Sequence, residues 1–205
     1  MQILLTGGTG LVGRALCRHF QQQGDSLVVL SRQPDKVAGL CSGARGIRNL
    51  DELDNSEPVD VVINLAGAPI ADRPWTKNRR RMLRESRIDL TRNLVDWMGQ
   101  REQPPAVLLS ASATGWYGDR GEEPVDETSA PPAPDFASQL CQDWEAEVMR
   151  AEAFDSRVAC LRLAPVLSTE GGMLAKLLPV FRLGLGGRLG NGQQWMPWIH
   201  LDDQV

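Results

Sequence analysis

Short, fully apolar runs alternate with longer amphipathic stretches along most of this chain. The apolar runs predict strands at residues 3–5, 26–30, 59–67, 106–112 and 157–163, with a weaker strand near 47–50. The amphipathic stretches predict helices at residues 11–23, 77–100, 135–152 and 171–183. Apolar strands separated by helices favour a doubly wound α/β fold with a parallel sheet of roughly six or seven strands.

The first strand runs into a glycine-rich segment at residues 6–13, Thr-Gly-Gly-Thr-Gly-Leu-Val-Gly. This spacing is typical of the turn that binds a dinucleotide pyrophosphate at the start of a helix. Gly7 permits the sharp turn, Gly10 lets backbone amides approach the phosphates, and Gly13 lets the helix pack on the strand. An ordinary glycine-rich turn is the alternative. The predicted cofactor contacts are Gly7, Thr9, Gly10, Leu11, Val12 and Gly13.

The second strand ends in Ser31 and Arg32 and carries no acidic residue at its tip. In a dinucleotide-binding fold this tip meets the adenosine ribose, where a carboxylate would accept from the 2′-hydroxyl of NAD. A hydroxyl and a guanidinium suit the 2′-phosphate of NADP instead. Arg14, one residue past the last glycine, is placed to assist from the helix. The sequence therefore predicts NADP (NADPH) rather than NAD, with a solvated loop position for Arg32 as the alternative.

The later strand ends also carry candidate site residues. Leu65, Ala66 and Gly67 follow the strand at 59–67 and are expected to form a wall of the dinucleotide cleft. Ser112 ends the next strand with a hydroxyl, and Leu163 ends the last one at the expected nicotinamide side. Ligands bind beyond the carboxyl ends of parallel strands, so these residues are predicted to share one cleft.

Arg87 interrupts an apolar face of the long helix that Leu83, Leu90 and Leu94 continue. An arginine in such a face needs an anionic or carbonyl partner, because an unpaired buried charge is strongly destabilising. A cofactor phosphate or ribose and a structural carboxylate are both open as that partner. The nearby arginines at residues 79–81 and 84 are interpreted as a solvated helix face rather than a nucleic-acid site.

Composition limits the partners of the chain. It has 205 residues, 42% of them hydrophobic and 23% charged, and a net charge of −4, which favours a globular protein without affinity for nucleic acid or membranes. The sequence lacks an apolar run long enough to span a membrane and an amino-terminal leader, which predicts a cytoplasmic location. The four cysteines lack metal-ligand spacing, so free, mostly buried thiols and no metal site are expected.

At this point the chain resembles the extended short-chain dehydrogenases/reductases, and more narrowly the atypical YfcH-type "NAD-dependent epimerase" subgroup. The general motifs are the glycine segment at 6–13, residues 64–67, residues 112–114 with Tyr117 and Gly118, and the loop with Pro124, Glu127 and Pro131. The subgroup features are residues 69–72 with Trp75, Trp144 with Glu145, residues 181–187 and residues 198–203. The resemblance implies an NAD(P)-binding Rossmann domain over residues 1–205.

In one respect the chain departs from the catalytic pattern of the family that it resembles. Family enzymes use a tyrosine and, four residues later, a lysine for proton transfer and for holding the nicotinamide ribose. Phe136 and Leu140 stand at those positions, and neither can transfer a proton. Ser112 keeps its substrate-orienting position. Tyr117, Cys141 and His200 are the candidate substitutes, each with packing or local hydrogen bonding as its alternative, and Tyr117 is predicted alongside Ser112.

Two functions follow as expectations. The first is an NADP(H)-dependent oxidoreductase or epimerase acting on a small polar, sugar-like molecule. The second is a non-catalytic NADP(H)-responsive binding or regulatory protein. Residues 168–198 are expected to form a substrate-side lid or lobe. The family carries a further substrate-binding portion, so the resemblance implies that this portion is truncated here, and a homodimer is left open.

Overall fold

The computed structural model of the protein describes residues 1–132, 135–188 and 190–205. Ala133 and Pro134, in the predicted acidic loop, and Leu189, in the predicted lid, lie outside the described residues. The strands are β1 (Gln2–Thr6), β2 (Ser26–Leu30), β3 (Arg45–Ile47), β4 (Val61–Asn64), β5 (Val107–Ala113), β6 (Arg157–Leu163), β7 (Val166–Ser168) and β8 (Ile199–His200). The helices are α1 (Leu11–Gln22), α2 (Val37–Leu40), α3 (Lys77–Arg84), α4 (Leu90–Gly99), α5 (Phe136–Met149), α6 (Gly172–Arg182) and α7 (Leu201–Gln204).

Six strands form one parallel sheet in the order β3-β2-β1-β4-β5-β6. The strand order reverses at β1, between β2 and β4, which is where ligands bind in open α/β sheets. β7 and β8 form a separate parallel pair. No helix in the described ranges is long and apolar enough to cross a bilayer.

Both faces of the sheet are covered by helices. Leu4, Val62 and Leu108 face a core built mainly by the helices between α3 and α5. Ile3 and Val29 point to the opposite face, where α1 and α2 cover them. Successive side chains of a strand alternate between faces, so strands buried on both sides must be apolar throughout. The doubly wound parallel fold predicted from the apolar runs is confirmed.

Two predicted strands are shorter in the structure. β4 ends at Asn64, so residues 65–67 leave the sheet and run along its carboxyl edge. The weak strand expected at residues 47–50 is instead β3, which ends at Ile47. A 3₁₀ turn follows at Leu50–Glu52, because Asn49 and Glu52 form a capping box that starts a helical turn.

The predicted long helix is continuous but contains one wide turn. Residues Glu85–Asp89 between α3 and α4 form a π-helix, which inserts an extra residue into the helical repeat. Around this turn Ile88 and Thr91 are buried, whereas Leu90 is only half-buried. The predicted apolar face is therefore displaced by one position near the π turn and resumes at Leu94.

The four cysteines are free thiols, as predicted. Cys17, Cys41 and Cys141 are buried, and Cys160 is half-buried. Burial raises the pKa of Cys160 to about 11, and the nearby Glu145 carboxylate adds to this shift. The Cys160 thiol therefore stays protonated near neutral pH and acts as a packing group.

Candidate dinucleotide and substrate site

The turn between β1 and α1 requires glycine at two positions and leaves a third open. Gly7 has a φ of +72°, and a Cβ there would lie 2.6 Å from the carbonyl oxygen of Leu65. A Cβ on Gly13 would overlap the carbonyl oxygen of Gly7. Gly10 is exposed, and a Cβ there would meet only the same Gly7 oxygen, at 3.2 Å. Packing therefore demands Gly7 and Gly13, whereas glycine at position 10 is explained better by a ligand that crosses the turn.

The amino terminus of α1 opens beside these glycines. Gly10 precedes the helix in an extended conformation, no side chain caps it, and the first turn has no acidic residue. The first intrahelical amide bond runs from Arg14 N to Gly10 O at 3.0 Å, so the amides of residues 11–13 lack intrahelical acceptors. Thr9 is exposed, while Leu11 and Val12 are half-buried. This arrangement suits an anion such as a pyrophosphate.

The end of β2 presents unpaired positive charge. Arg32 is exposed, and within the described residues no hydrogen bond or ion pair engages its side chain. Ser31 Oγ accepts from Gln33 N at 3.1 Å, and its own hydroxyl proton is left to donate. On the neighbouring helix, Nε of Arg14 is buried without a partner. These groups suit the 2′-phosphate predicted for this position.

A buried amide holds the end of β4 in place. Asn64 Nδ2 donates to Thr91 Oγ1 at 2.8 Å, and Asn64 Oδ1 accepts from Thr6 Oγ1 at 2.7 Å. The Ala66 amide also donates to Thr6 Oγ1, at 3.2 Å. The satisfied network fixes residues 65–67 beside the glycine turn, where they were predicted to line the cleft.

A cavity of about 230 Å³ lies beyond the carboxyl ends of β4 and β5. It brings together five predicted site residues, namely Leu65, Ala66, Gly67, Arg87 and Ser112. Leu140 and Trp144 of α5 make its opposite wall largely apolar. A mostly apolar cavity with a few converging polar groups is typical of small-molecule and cofactor sites.

Arg87 enters this cavity without a carboxylate partner in the described residues. Its Nη2 donates to the Ala68 carbonyl at 3.0 Å, and its Nη1 donates to the Leu83 carbonyl at 3.3 Å. Its Cζ lies 5.4 Å from the ring centroid of Trp144. Burial lowers the pKa of this guanidinium, and the charge of Arg79 lowers it further. The sequence left two partners open for Arg87, a cofactor phosphate or ribose and a structural carboxylate. Among the described residues, no carboxylate pairs with Arg87.

Ser112 is tied to a buried ion pair. Its hydroxyl donates to Glu145 Oε1 at 2.5 Å. Both Glu145 oxygens also accept from Arg162, with Nε–Oε1 and Nη2–Oε2 distances of 3.0 Å each. These bonds raise the pKa of Arg162 above its ordinary value. The fork geometry fixes Glu145, which in turn fixes the direction of the Ser112 hydroxyl.

Tyr117 faces a second cavity, of about 250 Å³, which Glu127, Cys160 and Arg162 also line. Arg162 Nη1 donates to Tyr117 Oη at 3.2 Å. The structure thus supplies a cation beside Tyr117 that the sequence alone did not reveal. Tyr117 and Ser112 are linked through Arg162 and Glu145, and they do not line the same cavity. Leu163 ends β6 in register with Ala113 and packs on the core.

The helix α5 presents apolar groups where the family pattern has its tyrosine and lysine. The ring of Phe136 packs edge-to-face on Trp75, with centroids 5.2 Å apart, and lies under the guanidinium of Arg80. Leu140 is 1% exposed and lines the first cavity. The aromatic position is therefore a packing anchor, and the lysine position is an apolar wall.

The other two candidate substitutes occupy different places. Cys141 lines the first cavity, and its Sγ donates to the Ala113 carbonyl at 3.7 Å. Burial and the charge of Glu145 raise the pKa of Cys141, so the thiol is a weak proton donor and forms little thiolate near neutral pH. His200 caps α7, with its Nδ1 accepting from Asp202 N at 3.3 Å. Local hydrogen bonding is thus the role that the geometry gives to His200.

Sequence reasoning missed Glu145 and Arg162 as site residues. Glu145 lies one turn after Cys141 on the buried side of α5, and Arg162 follows Val158 and Cys160 on one face of β6. A charge on an apolar face was the signal used for Arg87, and the same signal was present here. Applied to Glu145 and Arg162, this signal would have predicted an ion pair between their opposite charges.

The parallel sheet, its strand-order reversal and the glycine turn define a nucleotide-binding α/β domain of the Rossmann type. The chain matches the profile of the NAD dependent epimerase/dehydratase family over residues 3–205. It belongs to that family, which confirms the resemblance found in the motifs.

Curated relatives carry epimerase-family names. The chain is 36% identical to "Epimerase family protein SDR39U1 homolog, chloroplastic" of Arabidopsis thaliana, over all of this chain and 60% of the relative. It is also 36% identical to "Epimerase family protein SH2119" of Staphylococcus haemolyticus, over all of this chain and 68% of that protein. The chain thus spans about three fifths to two thirds of the length of these relatives.

Solved structures superpose over nearly the whole chain. The human epimerase family protein SDR39U1 (isoform 2), solved with NADPH, gives a TM-score of 0.84 at 31% identity over 99% of this chain and 67% of the human chain. A nucleoside-diphosphate sugar epimerase from Corynebacterium glutamicum gives 0.80 at 32% identity over 100% of this chain and 42% of that chain. A UDP-glucuronic acid 4-epimerase from Bacillus cereus, at 20% identity and a TM-score of 0.81, shares the fold.

Proposed function

We propose that this chain binds NADP(H) across the glycine turn, with its 2′-phosphate between Ser31, Arg32 and Arg14. The observation that carries this proposal is positive charge that no described residue pairs with: the Arg32 side chain and the buried Nε of Arg14. The exposed Gly10 and the uncapped start of α1 offer the pyrophosphate site beside them. The NADPH in the human neighbour supports the same choice of cofactor.

We further propose an oxidoreductase or epimerase reaction on a small polar, sugar-like molecule. When bound, the cofactor supplies or accepts a hydride. Ser112 orients an oxygen of the substrate in the cavity between β5 and α5, and Glu145 fixes the direction of the Ser112 hydroxyl. Residues 168–198 act as a substrate-side lid. The exposed side chains of Phe181, Trp195 and Trp198 give that segment apolar surface to close with.

A non-catalytic NADP(H)-responsive protein is the second candidate. It is favoured by the packing of Phe136 on Trp75, the apolar Leu140 and the position of Tyr117 outside the first cavity. Transfer of deuterium from stereospecifically labelled NADPH to a sugar-like carbonyl compound would support the enzyme. Cofactor-dependent association with another macromolecule, without such transfer, would support the second candidate.

Calorimetric titration of the purified chain with NADPH and NADH in parallel tests the cofactor. We expect NADPH to bind at least tenfold more tightly, because only it carries the 2′-phosphate. Equal affinities would remove the role given to Ser31 and Arg32. No binding of either by a folded sample would overturn the proposed function.

A further inference from the structure

Arg87 lies in the wide helical turn and lines the first cavity. It lies at the centre of the π-helix Glu85–Asp89, between α3 and α4. Such turns cost regular hydrogen bonding and are frequent at functional sites. Here the turn lets the side chain reach the backbone of residues 67–68, which run along the carboxyl edge of the sheet.

The guanidinium is held firmly but is not saturated. Its two terminal nitrogens donate hydrogen bonds to the carbonyls of Ala68 and Leu83, and Nη1 also lies 3.4 Å from Ser86 Oγ. An arginine has five N–H donors, so these contacts leave donors for a further acceptor. No carboxylate among the described residues neutralises the charge, and the nearby Arg79 has the same sign. The Arg87 guanidinium is therefore held in place and keeps free N–H donors that can bind an oxygen-bearing ligand.

The cavity beside it lies next along the sheet from the glycine turn. Leu65 connects the two, because its carbonyl faces Gly7 and its side chain helps to line the cavity. Adjacent strands are about 4.8 Å apart. A cavity at the ends of β4 and β5 is therefore one to two strands, or about one sugar unit, away from a phosphate at the end of β1.

We propose that Arg87 anchors the ribose next to the nicotinamide, donating hydrogen bonds to its hydroxyl groups inside this cavity. This inference rests on the proposed function. The α5 wall of the cavity is formed by Ala137, Leu140, Cys141 and Trp144, none of which carries a positive charge, so the cation comes from the π turn. Arg87 is thus a positioning residue for the reactive half of the dinucleotide, while Ser112 is left for the substrate.

Three ligands separate this assignment from a role at the phosphates. NADPH contains both halves, 2′-phospho-ADP-ribose lacks only the nicotinamide, and 2′-phospho-ADP lacks the nicotinamide and its ribose but keeps both bridging phosphates. We expect R87M to weaken NADPH and 2′-phospho-ADP-ribose by about tenfold to a hundredfold, the range for hydrogen bonds from a charged donor. Binding of 2′-phospho-ADP should change less than twofold. R81M, which removes an exposed arginine from the same helix, is the matched control and should change none of the three.

Each result has a distinct meaning. Equal weakening of all three ligands by R87M, or no weakening of any, overturns the ribose assignment. Failure of the wild-type chain to bind either NADPH or 2′-phospho-ADP overturns the proposed function instead. If R87M does not fold, R87K gives the same comparison, because lysine keeps the charge but lacks the planar fork. A selective loss for the two ribose-bearing ligands is then expected, and its absence overturns the assignment.

Discussion

The hydroxyl of Ser112 points its proton at Glu145, and the distance between Oγ and Oε1 is 2.5 Å. Both oxygens of Glu145 pair with Arg162, and the carboxylate of such an ion pair accepts from Ser112. The serine oxygen consequently offers lone pairs to the cavity. A ligand group that donates a hydrogen bond, such as a sugar hydroxyl, matches this orientation.

Breaking the buried pair should lower stability. We expect Glu145→Gln to reduce the free energy of unfolding by about 3 kcal/mol, because it leaves the Arg162 charge without its carboxylate. Urea unfolding of wild type and variant measures the change. Glu123→Gln removes the exposed partner of Arg120 and should cost about 0.5 kcal/mol or less. Similar losses for the two variants would show that the Glu145–Arg162 pair contributes no more to the free energy of unfolding than an exposed pair.

The glycines of the turn should separate binding from folding. We expect Gly10→Ala to keep the wild-type melting temperature within a few degrees while NADPH affinity falls, because its Cβ enters the space left for the ligand. Gly13→Ala should instead fail to fold or melt far lower, since its Cβ overlaps the Gly7 carbonyl. Calorimetry and thermal melting, run on both variants, test this division. A Gly10→Ala protein with unchanged NADPH binding would contradict it.

Arg32 should discriminate between the two nicotinamide cofactors. We expect Arg32→Ala to weaken NADPH by about 1.5–3 kcal/mol, because a hydrogen bond between charged groups is lost. NADH lacks the 2′-phosphate and serves as the internal control, with little change expected. Titration of the variant with both cofactors gives the answer, and equal losses for NADPH and NADH would remove Arg32 from the phosphate site.

The half-buried thiol of Cys160 should make stability fall at alkaline pH. Its pKa is raised to about 11, so the folded state keeps its proton where the unfolded thiol has already ionised. The unfolded state then binds fewer protons, and the free energy of unfolding decreases from about pH 9 to pH 11. Urea unfolding across this interval should show a shallower decline for Cys160→Ala than for wild type. Parallel curves for the two proteins would exclude the effect.

The parts of the fold that depend on local pattern could be predicted from the sequence. The spacing of Gly7, Gly10 and Gly13 identifies a strand–turn–helix, because Gly7 supplies the positive φ of the turn and Gly13 packs against the turn backbone a few residues before it. The order of apolar strands and helices likewise restricts the topology to a doubly wound sheet. These elements need no knowledge of distant contacts.

The polar contacts of the site depend on features that local pattern does not contain. Glu145 and Arg162 meet only because β5 and β6 pair with Ser112 opposite Arg162 and α5 packs over them. The π turn at Arg87 departs from the regular helical repeat, so a regular periodicity cannot foresee it. Tyr117, predicted together with Ser112 as a catalytic residue, lies in the 3₁₀ turn after β5 and lines the second cavity.

The nearly complete burial of Leu140, in the cavity that Arg87 also lines, limits how this site can be exchanged for another. A lysine at position 140 would place an ammonium beside a guanidinium, with no described carboxylate on Arg87 to neutralise either charge. Introducing the family's tyrosine at position 136 and lysine at position 140 would therefore require at least one further substitution. Leu140 and Arg87 would have to change together, so a protein with this architecture carries its cation on one wall of the cleft or on the other.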